Sequence, residues 1–474
     1  MPTRMVGVHH LLDLLEGWRD DGGATYTALA DRIRLLIIDG RITPGTRIPS
    51  EREIAARLSV SRTTVNSAFA ALRSSGHLTS RQGSGSIATV PGRPGDLPIP
   101  SPSDQLDLSR ATSASVPGVH AATVRAVERL PSRLLTDGYE LTGLPELLQG
   151  LADRYLMRGL DARPDQIAVT SGAQSAISLI ARTLVARGDR VVVEAPGYPH
   201  ALNALRGAGA RLLPLAVDPD DGWDVDGFEE LVRRSLPSAV FLMPDFQNPT
   251  SRSMTLEARA RIVRVAEDHG VLIVANETTA ELDIDRGEVL PPLAAFASRP
   301  ASVVSIGSAS KTIWGGLRIG WIHSSTSVID RLVAARLAND LGASVIDQLV
   351  VSEMLGELDR VLEYRRDLHR QSRDTLEAGL RAHLPGWRLP RTDGGVAAWV
   401  QLDGPHSSAL TIAARDRGLL IGAGPWFGLE GEFERFIRIP ITATPDAIER
   451  AVQILADAWA SLPGTRDERT AAPL

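Results

Sequence analysis

The sequence has no cysteine in its 474 residues. That absence excludes disulfides, thiolate metal sites and a cysteine nucleophile together, and a chain this long can bury a core without such staples. It has one lysine, Lys311, against 50 arginines. Arginine serves wherever charge alone is needed, but it stays protonated. A lysine can lose its proton and form a Schiff base, so the single survivor marks a position for chemistry. No apolar run reaches the ~18 residues that span a bilayer, and the first residues lack a signal-peptide pattern. A cytoplasmic protein with no membrane partner is expected. The ten histidines show no metal-ligand spacing, so no metal site is expected.

What the sequence does have is length for two or three domains and an uneven charge. Its formal net charge is −6, yet residues 24–90 hold nine arginines against four acids, Asp31, Asp39, Glu51 and Glu53. No acid occurs between Ile54 and Gly95. A basic segment in an acidic chain is a nucleic-acid footprint. The patterning divides the chain into four segments: an extension at 1–23, a basic segment at 24–90 expected to bind DNA, a Pro/Gly linker at 91–107 and a large remaining domain at 108–474.

Within the second segment, apolar Leu29, Ile33, Leu36 and Ile37 recur at helical spacing. Ser50 with Glu53 forms a capping box that opens another helix, and Ser61 caps a third with Val65, Ala68, Phe69 and Leu72 facing inward. Residues 77–90 alternate like a hairpin with a Gly-Ser tip. Three helices and a hairpin make a winged helix-turn-helix, whose third helix would present Arg62, Thr63 and Asn66 to the major groove of a double-stranded operator. Arginine suits guanine edges and asparagine adenine edges, while Ser61 and Thr63 can hold phosphates and Arg81 and Gln82 stand at the wing base. The stretches PGTRIPSEREIA, VSRTTV and GHLTSRQGSG resemble the DNA-binding domain of GntR-type bacterial repressors. The resemblance implies DNA contacts at Arg52, Arg62, Thr63, Gln82 and Gly83.

Beyond the linker, buried-type runs QIAV (166–169), RVVVEA (190–195), AVFLM (239–243), VLIVA (271–275), SVVSIG (302–307) and RIGWI (318–322) alternate with helical stretches. They predict a parallel α/β sheet with right-handed crossovers, followed by a smaller α+β lobe. Lys311 lies in SASK after one of these strands, with Ser308 and Arg318 near enough to hold a phosphate. The turn VTSGAQ (169–174) offers a helix N-terminus to an anion. From about Leu108 to Ile441 the chain resembles fold-type I aminotransferases, and the whole resembles the MocR (GabR-like) group of regulators.

That resemblance implies pyridoxal 5′-phosphate as cofactor, with Lys311 as the Schiff-base residue. It implies phosphate contacts from Gly172, Ala173, Gln174, Ser308 and Arg318, ring stacking by Tyr198 and a hydrogen bond from Asn248 to the phenolic oxygen. Tyr139 would reach the phosphate of the partner in a homodimer, and Arg438 would bind a ligand carboxylate. One motif departs. Where the family carries an Asp, and three residues later a Tyr, this chain has Asn276 and Thr279. The Asp charge keeps the pyridine nitrogen protonated as an electron sink, which an amide cannot do. Glu277, next in an extended segment, should point the other way. The expected function is a DNA-binding regulator that senses a small amine or amino acid through bound cofactor. The alternatives are a working aminotransferase fused to a DNA-binding domain, and a regulator whose pocket has lost the cofactor.

Overall fold

The computed structural model describes residues 7–15, 25–38, 41–42, 45–74, 77–81, 85–89 and 105–462. The first domain consists of helices α1 (Val8–Leu14), α2 (Thr25–Ile38), α3 (Glu51–Leu58) and α4 (Arg62–Ser74), then strands β1 (Leu78–Arg81) and β2 (Gly85–Ala88). Ser50 is extended, and its hydroxyl accepts from the Glu53 amide, which opens α3. Ser59 closes α3 in the left-handed region at φ 54°. Ser61 then caps α4 by accepting from the Thr64 amide at 3.0 Å. Val65, Ala68, Phe69 and Leu72 of α4 are fully buried in one cluster with Leu29 and Ile33 of α2 and Ile54 of α3. Burying each large apolar side chain contributes about 1.5–3 kcal/mol, so this shared face fixes how α4 sits on its neighbours. β1 and β2 pair antiparallel, with Arg81 opposite Gly85. Residues 82–84 at the hairpin tip and residues 90–104 lie outside the described residues.

The second unit centres on an eight-stranded sheet. A short strand β3 (Leu106–Asp107) instead pairs with Leu419–Leu420 of the C-terminal lobe. The sheet strands are β4 (Ile167–Thr170), β5 (Arg190–Ala195), β6 (Arg211–Asp218), β7 (Gly222–Trp223), β8 (Ala239–Leu242), β9 (Leu272–Asn276), β10 (Val303–Ser308) and β11 (Gly320–His323). Their order is β4-β11-β10-β9-β8-β5-β6-β7.

The expected all-parallel sheet needs correction. β5, β6, β8, β9 and β10 run parallel, but β11 is antiparallel to both β10 and β4. The reason is length: only residues 309–319 join β10 to β11, fewer than a parallel crossover requires. β6 and β7 were not expected. β6 alternates between buried and exposed side chains and carries Pro214, so it lacks a continuous apolar run.

The smaller lobe has a three-stranded antiparallel sheet with Phe436–Pro440 between Ala397–Gln401 and Gly422–Ala423. Helices Leu358–His383 and Pro445–Trp459 cover it through a core that includes Leu376, Leu380, Ile437, Ile439 and Leu455. No helix among the described residues is long and apolar enough to cross a membrane.

Candidate functional site

On the first domain, Arg52, Ser61, Arg62, Thr63 and Asn66 are all exposed, and Val65, Phe69 and Leu72 turn inward. No ion pair among the described residues involves Arg52 or Arg62, so both guanidiniums stand available. Ser61 differs from expectation. Its hydroxyl caps α4 and also shares a hydrogen bond of 2.8 Å with Thr64 Oγ1, so phosphate binding would compete with the cap. The backbone of Arg81 ends β1. Its side chain, Gln82 and Gly83 lie outside the described residues.

In the second unit the carboxyl ends of β4, β5, β8, β9 and β10 meet the small lobe around a cavity of about 610 Å³. Open α/β sheets bind ligands at that edge because helix N-termini and short loops converge there. Of the expected residues, Ala173, Gln174, Tyr198, Asn248, Asn276, Ser308, Lys311, Arg318 and Arg438 line this one cavity. They come from positions 173 to 438, so only the fold assembles them. Lys311 sits in the single helical turn Ala309–Thr312, whose N-cap Ser308 accepts from the Ser310 amide. Arg318 adopts φ 50°, a left-handed conformation that is strained for a residue with a side chain. Its guanidinium donates to the Ser171 carbonyl. A Cβ on Gly172 (φ 90°) would lie 2.6 Å from that guanidinium, so the turn accepts glycine alone. Tyr139 is not brought to the cavity; it is 62% exposed on the surface.

The polar lining, with Ser310 Oγ and Arg438 Nε as unpartnered donors, fits a phosphorylated pyridine cofactor. Gln174 Oε1, Asn248 Oδ1, Ser310 Oγ and Arg438 Nε are buried without partners in the protein. Each such orphan costs about 1–3 kcal/mol unless a ligand meets it. Burial, then the positive fields of Arg438 and Arg318, lowers the Lys311 ammonium to about 8, toward the neutral amine that a Schiff base requires.

Asn276, at the end of β9, is 2% exposed. Its Oδ1 accepts from the Thr278 amide at 3.2 Å, which leaves the NH2 end as the group it can offer the cavity. The Thr279 hydroxyl is committed to the Asp245 carbonyl at 2.8 Å. Glu277 faces away from the cavity. Its carboxylate lies 3.3 Å from Arg158 and accepts from the Leu293 amide.

Sequence reasoning missed the supports of this site. Asp245 is fully buried between Arg259 (2.7 Å) and Arg286 (2.6 Å), and Arg259 also donates to the Pro244 and Met254 carbonyls. This cluster fixes the ends of the loop that carries Asn248. Gln247 ties the same loop to the Tyr198 loop through Glu194 Oε2 (3.2 Å) and the Pro196 carbonyl (2.7 Å). Residues 109–112, His200 and Trp426 also line the cavity without having been expected there. The Ser109 carbonyl accepts from Arg438, and the Ala111 carbonyl accepts from Lys311 at 2.6 Å. Nothing in the local sequence of 109–112 signals this position.

Comparison with known proteins gives the same two parts. Residues 25–87 match the family described as bacterial regulatory proteins, gntR family, and residues 115–455 match aminotransferase class I and II. The probable rhizopine catabolism regulatory protein MocR of Rhizobium meliloti is 31% identical over 80% of this chain and 82% of its own length. The chain belongs to the MocR-like group of GntR-family regulators. The pyridoxine biosynthesis transcriptional regulator PdxR of Corynebacterium glutamicum is 30% identical over 84% of the MocR-like chain and 87% of its own. Among solved structures, the α-aminoadipate aminotransferase LysN of Thermus thermophilus, complexed with N-(5′-phosphopyridoxyl)-L-leucine, superposes with a TM-score of 0.68. That match has 27% identity and covers 76% of this chain and 92% of LysN. The MocR-like chain therefore joins a GntR-type DNA-binding domain to a fold-type I, pyridoxal-phosphate-binding domain.

Proposed function

We propose that this MocR-like protein is a cytoplasmic, homodimeric transcriptional regulator in which cofactor held at Lys311 reports the presence of a small amino acid to the DNA-binding domain. The DNA-binding domain would run from 24 to 90, with α1 of the preceding extension packed on its core, and the second domain from 108 to 474. What supports the reading is the gathering of Lys311, Ser308, Arg318 and Asn248 around one cavity, together with a neutral amide at the position of the family's acid. Lys311 would hold the cofactor covalently, and Ser308, Arg318 and the Gly172–Gln174 turn its phosphate. Tyr198 and Asn248 would orient the ring, and Tyr139 would complete the partner's phosphate site. Arg438 suits an amino-acid carboxylate because its planar fork is buried with an unpartnered Nε.

When bound, pyridoxal phosphate supplies an electron sink that depends on a protonated ring nitrogen. The Asn276 NH2 is a donor, so it suits the unprotonated nitrogen instead. The residues thus favour binding over turnover. On the DNA side, Arg52, Arg62, Thr63 and Asn66 would read the operator, with Ser61, Arg81, Gln82 and Gly83 at the phosphates and wing.

The test uses purified full-length protein. Visible absorbance of lysine-linked cofactor should be present and should change with some amino acids. Affinity for the operator should shift with those same amino acids, and no steady turnover should occur with amino donor and keto acid. Rapid turnover would instead establish the aminotransferase reading. Absence of the absorbance after incubation with cofactor would overturn both.

A further inference from the structure

The wall of the Lys311 cavity carries four cations, Arg110, Lys311, Arg318 and Arg438, and no carboxylate among its described lining residues. Arg318 and Arg438 donate to backbone carbonyls, of Gly315 and Ser171 and of Ser109. Among the described residues, the one ion pair made by any of the four is Arg110 with Asp107 at 4.0 Å, the outer limit of such a contact. Asn276 deepens the imbalance, since the family's acid would offset one cation. Like charges gathered without counter-ions are costly, and a bound anion removes the cost.

In the proposed function three of these cations have tasks: Arg318 the phosphate, Lys311 the cofactor linkage and Arg438 the ligand's α-carboxylate. Arg110 has none. Its place in the chain is defined on both sides, because the Ser109 carbonyl accepts from Arg438 and the Ala111 carbonyl accepts from Lys311. Arg110 therefore stands between the group that takes the α-carboxylate and the group beside the amine. Its side chain is 79% exposed at the cavity rim, where His200 and Trp426 also stand. The field of Arg110 reaches His200, whose imidazolium is disfavoured first by burial and then by Arg438, Lys311 and Arg110.

We propose that the ligand is an amino acid with a second, distal carboxylate, and that Arg110 holds that carboxylate at the rim. The proposal rests on the reading that the cavity holds the cofactor and binds an amino acid. A planar guanidinium matches a carboxylate bidentately, and a side-chain amide of equal size lacks the charge.

The experiment is isothermal titration of the full-length, cofactor-loaded protein with L-glutamate against L-glutamine and L-aspartate against L-asparagine. At least one acid should bind about tenfold more tightly than its amide, as expected for one charge-assisted contact. Arg110→Gln should bring that ratio close to one, leave the amide's affinity within about twofold, and leave the cofactor's visible absorbance unchanged. The proposal is overturned if the wild type binds acid and amide alike, or if Arg110→Gln keeps the ratio. Equal binding of acid and amide would leave the amino-acid-sensing reading intact. If no amino acid of any kind binds the loaded protein, that reading fails and the dicarboxylate falls with it.

Discussion

Lys311 allows a pH experiment with a worked magnitude. Burial, then Arg438 and Arg318, lowers its pKa from 10.5 to about 8. At pH 7.5 roughly a quarter of molecules then carry the neutral amine, against roughly one in a thousand for an unperturbed lysine, a gain on the order of 200-fold. Only the neutral amine attacks an aldehyde. Capture of pyridoxal phosphate by cofactor-free protein, followed by visible absorbance in a stopped-flow instrument, should therefore accelerate with pH and level off just above 8. Arg438→Gln removes the second cause but not burial, so the midpoint should rise while staying below 10.5. The sign for stability agrees. Between about 8 and 10.5 the unfolded chain binds more protons at this site than the folded one, so stability of the cofactor-free protein rises with pH across that window. A capture midpoint near 10.5, or one unmoved by Arg438→Gln, would refute the reasoning.

The other expectations concern separate parts of the molecule. Arg62→Ala should weaken operator binding by about 1–3 kcal/mol at matched salt while cofactor capture stays unchanged; equal affinity would remove Arg62 from the reading face. Asn276→Asp should accelerate any half-transamination seen in stopped-flow spectra with an amino-acid panel. Adding Thr279→Tyr should raise it beyond either change alone, because both act on one ring; a double variant that binds cofactor yet stays inert with every donor contradicts the electron-sink argument. Asp245→Asn should lower the stability of the aminotransferase-like domain by about 3–5 kcal/mol in denaturant titration, since it leaves Arg259 and Arg286 without their buried counter-charge. A loss under about 1 kcal/mol would show that the cluster does not hold the Asn248 loop.

The sequence by itself determined those features whose cause is local. The caps at Ser50 and Ser61 and the 3.6-residue spacing of Val65, Phe69 and Leu72 settle the helix boundaries and the buried face of the first domain. Six sheet strands with little exposed surface had to be continuous apolar runs, and they were legible as such. Lys311 was legible because it is unique. Strand direction was not, since apolar pattern is the same forwards and backwards; the short connection at 309–319 decided that β11 runs antiparallel. β6 was hidden by its half-exposed face. The supports of the site were hidden for a different reason. Asp245 meets Arg286 across 41 positions, and Arg438 meets Ser109 across 329. Such pairs exist only once the sheet order and the return of the C-terminal lobe bring them together. Local pattern sets which residues turn inward, and only the tertiary path decides which of them face the same space, as it does for Arg110 beside Lys311 and Arg438.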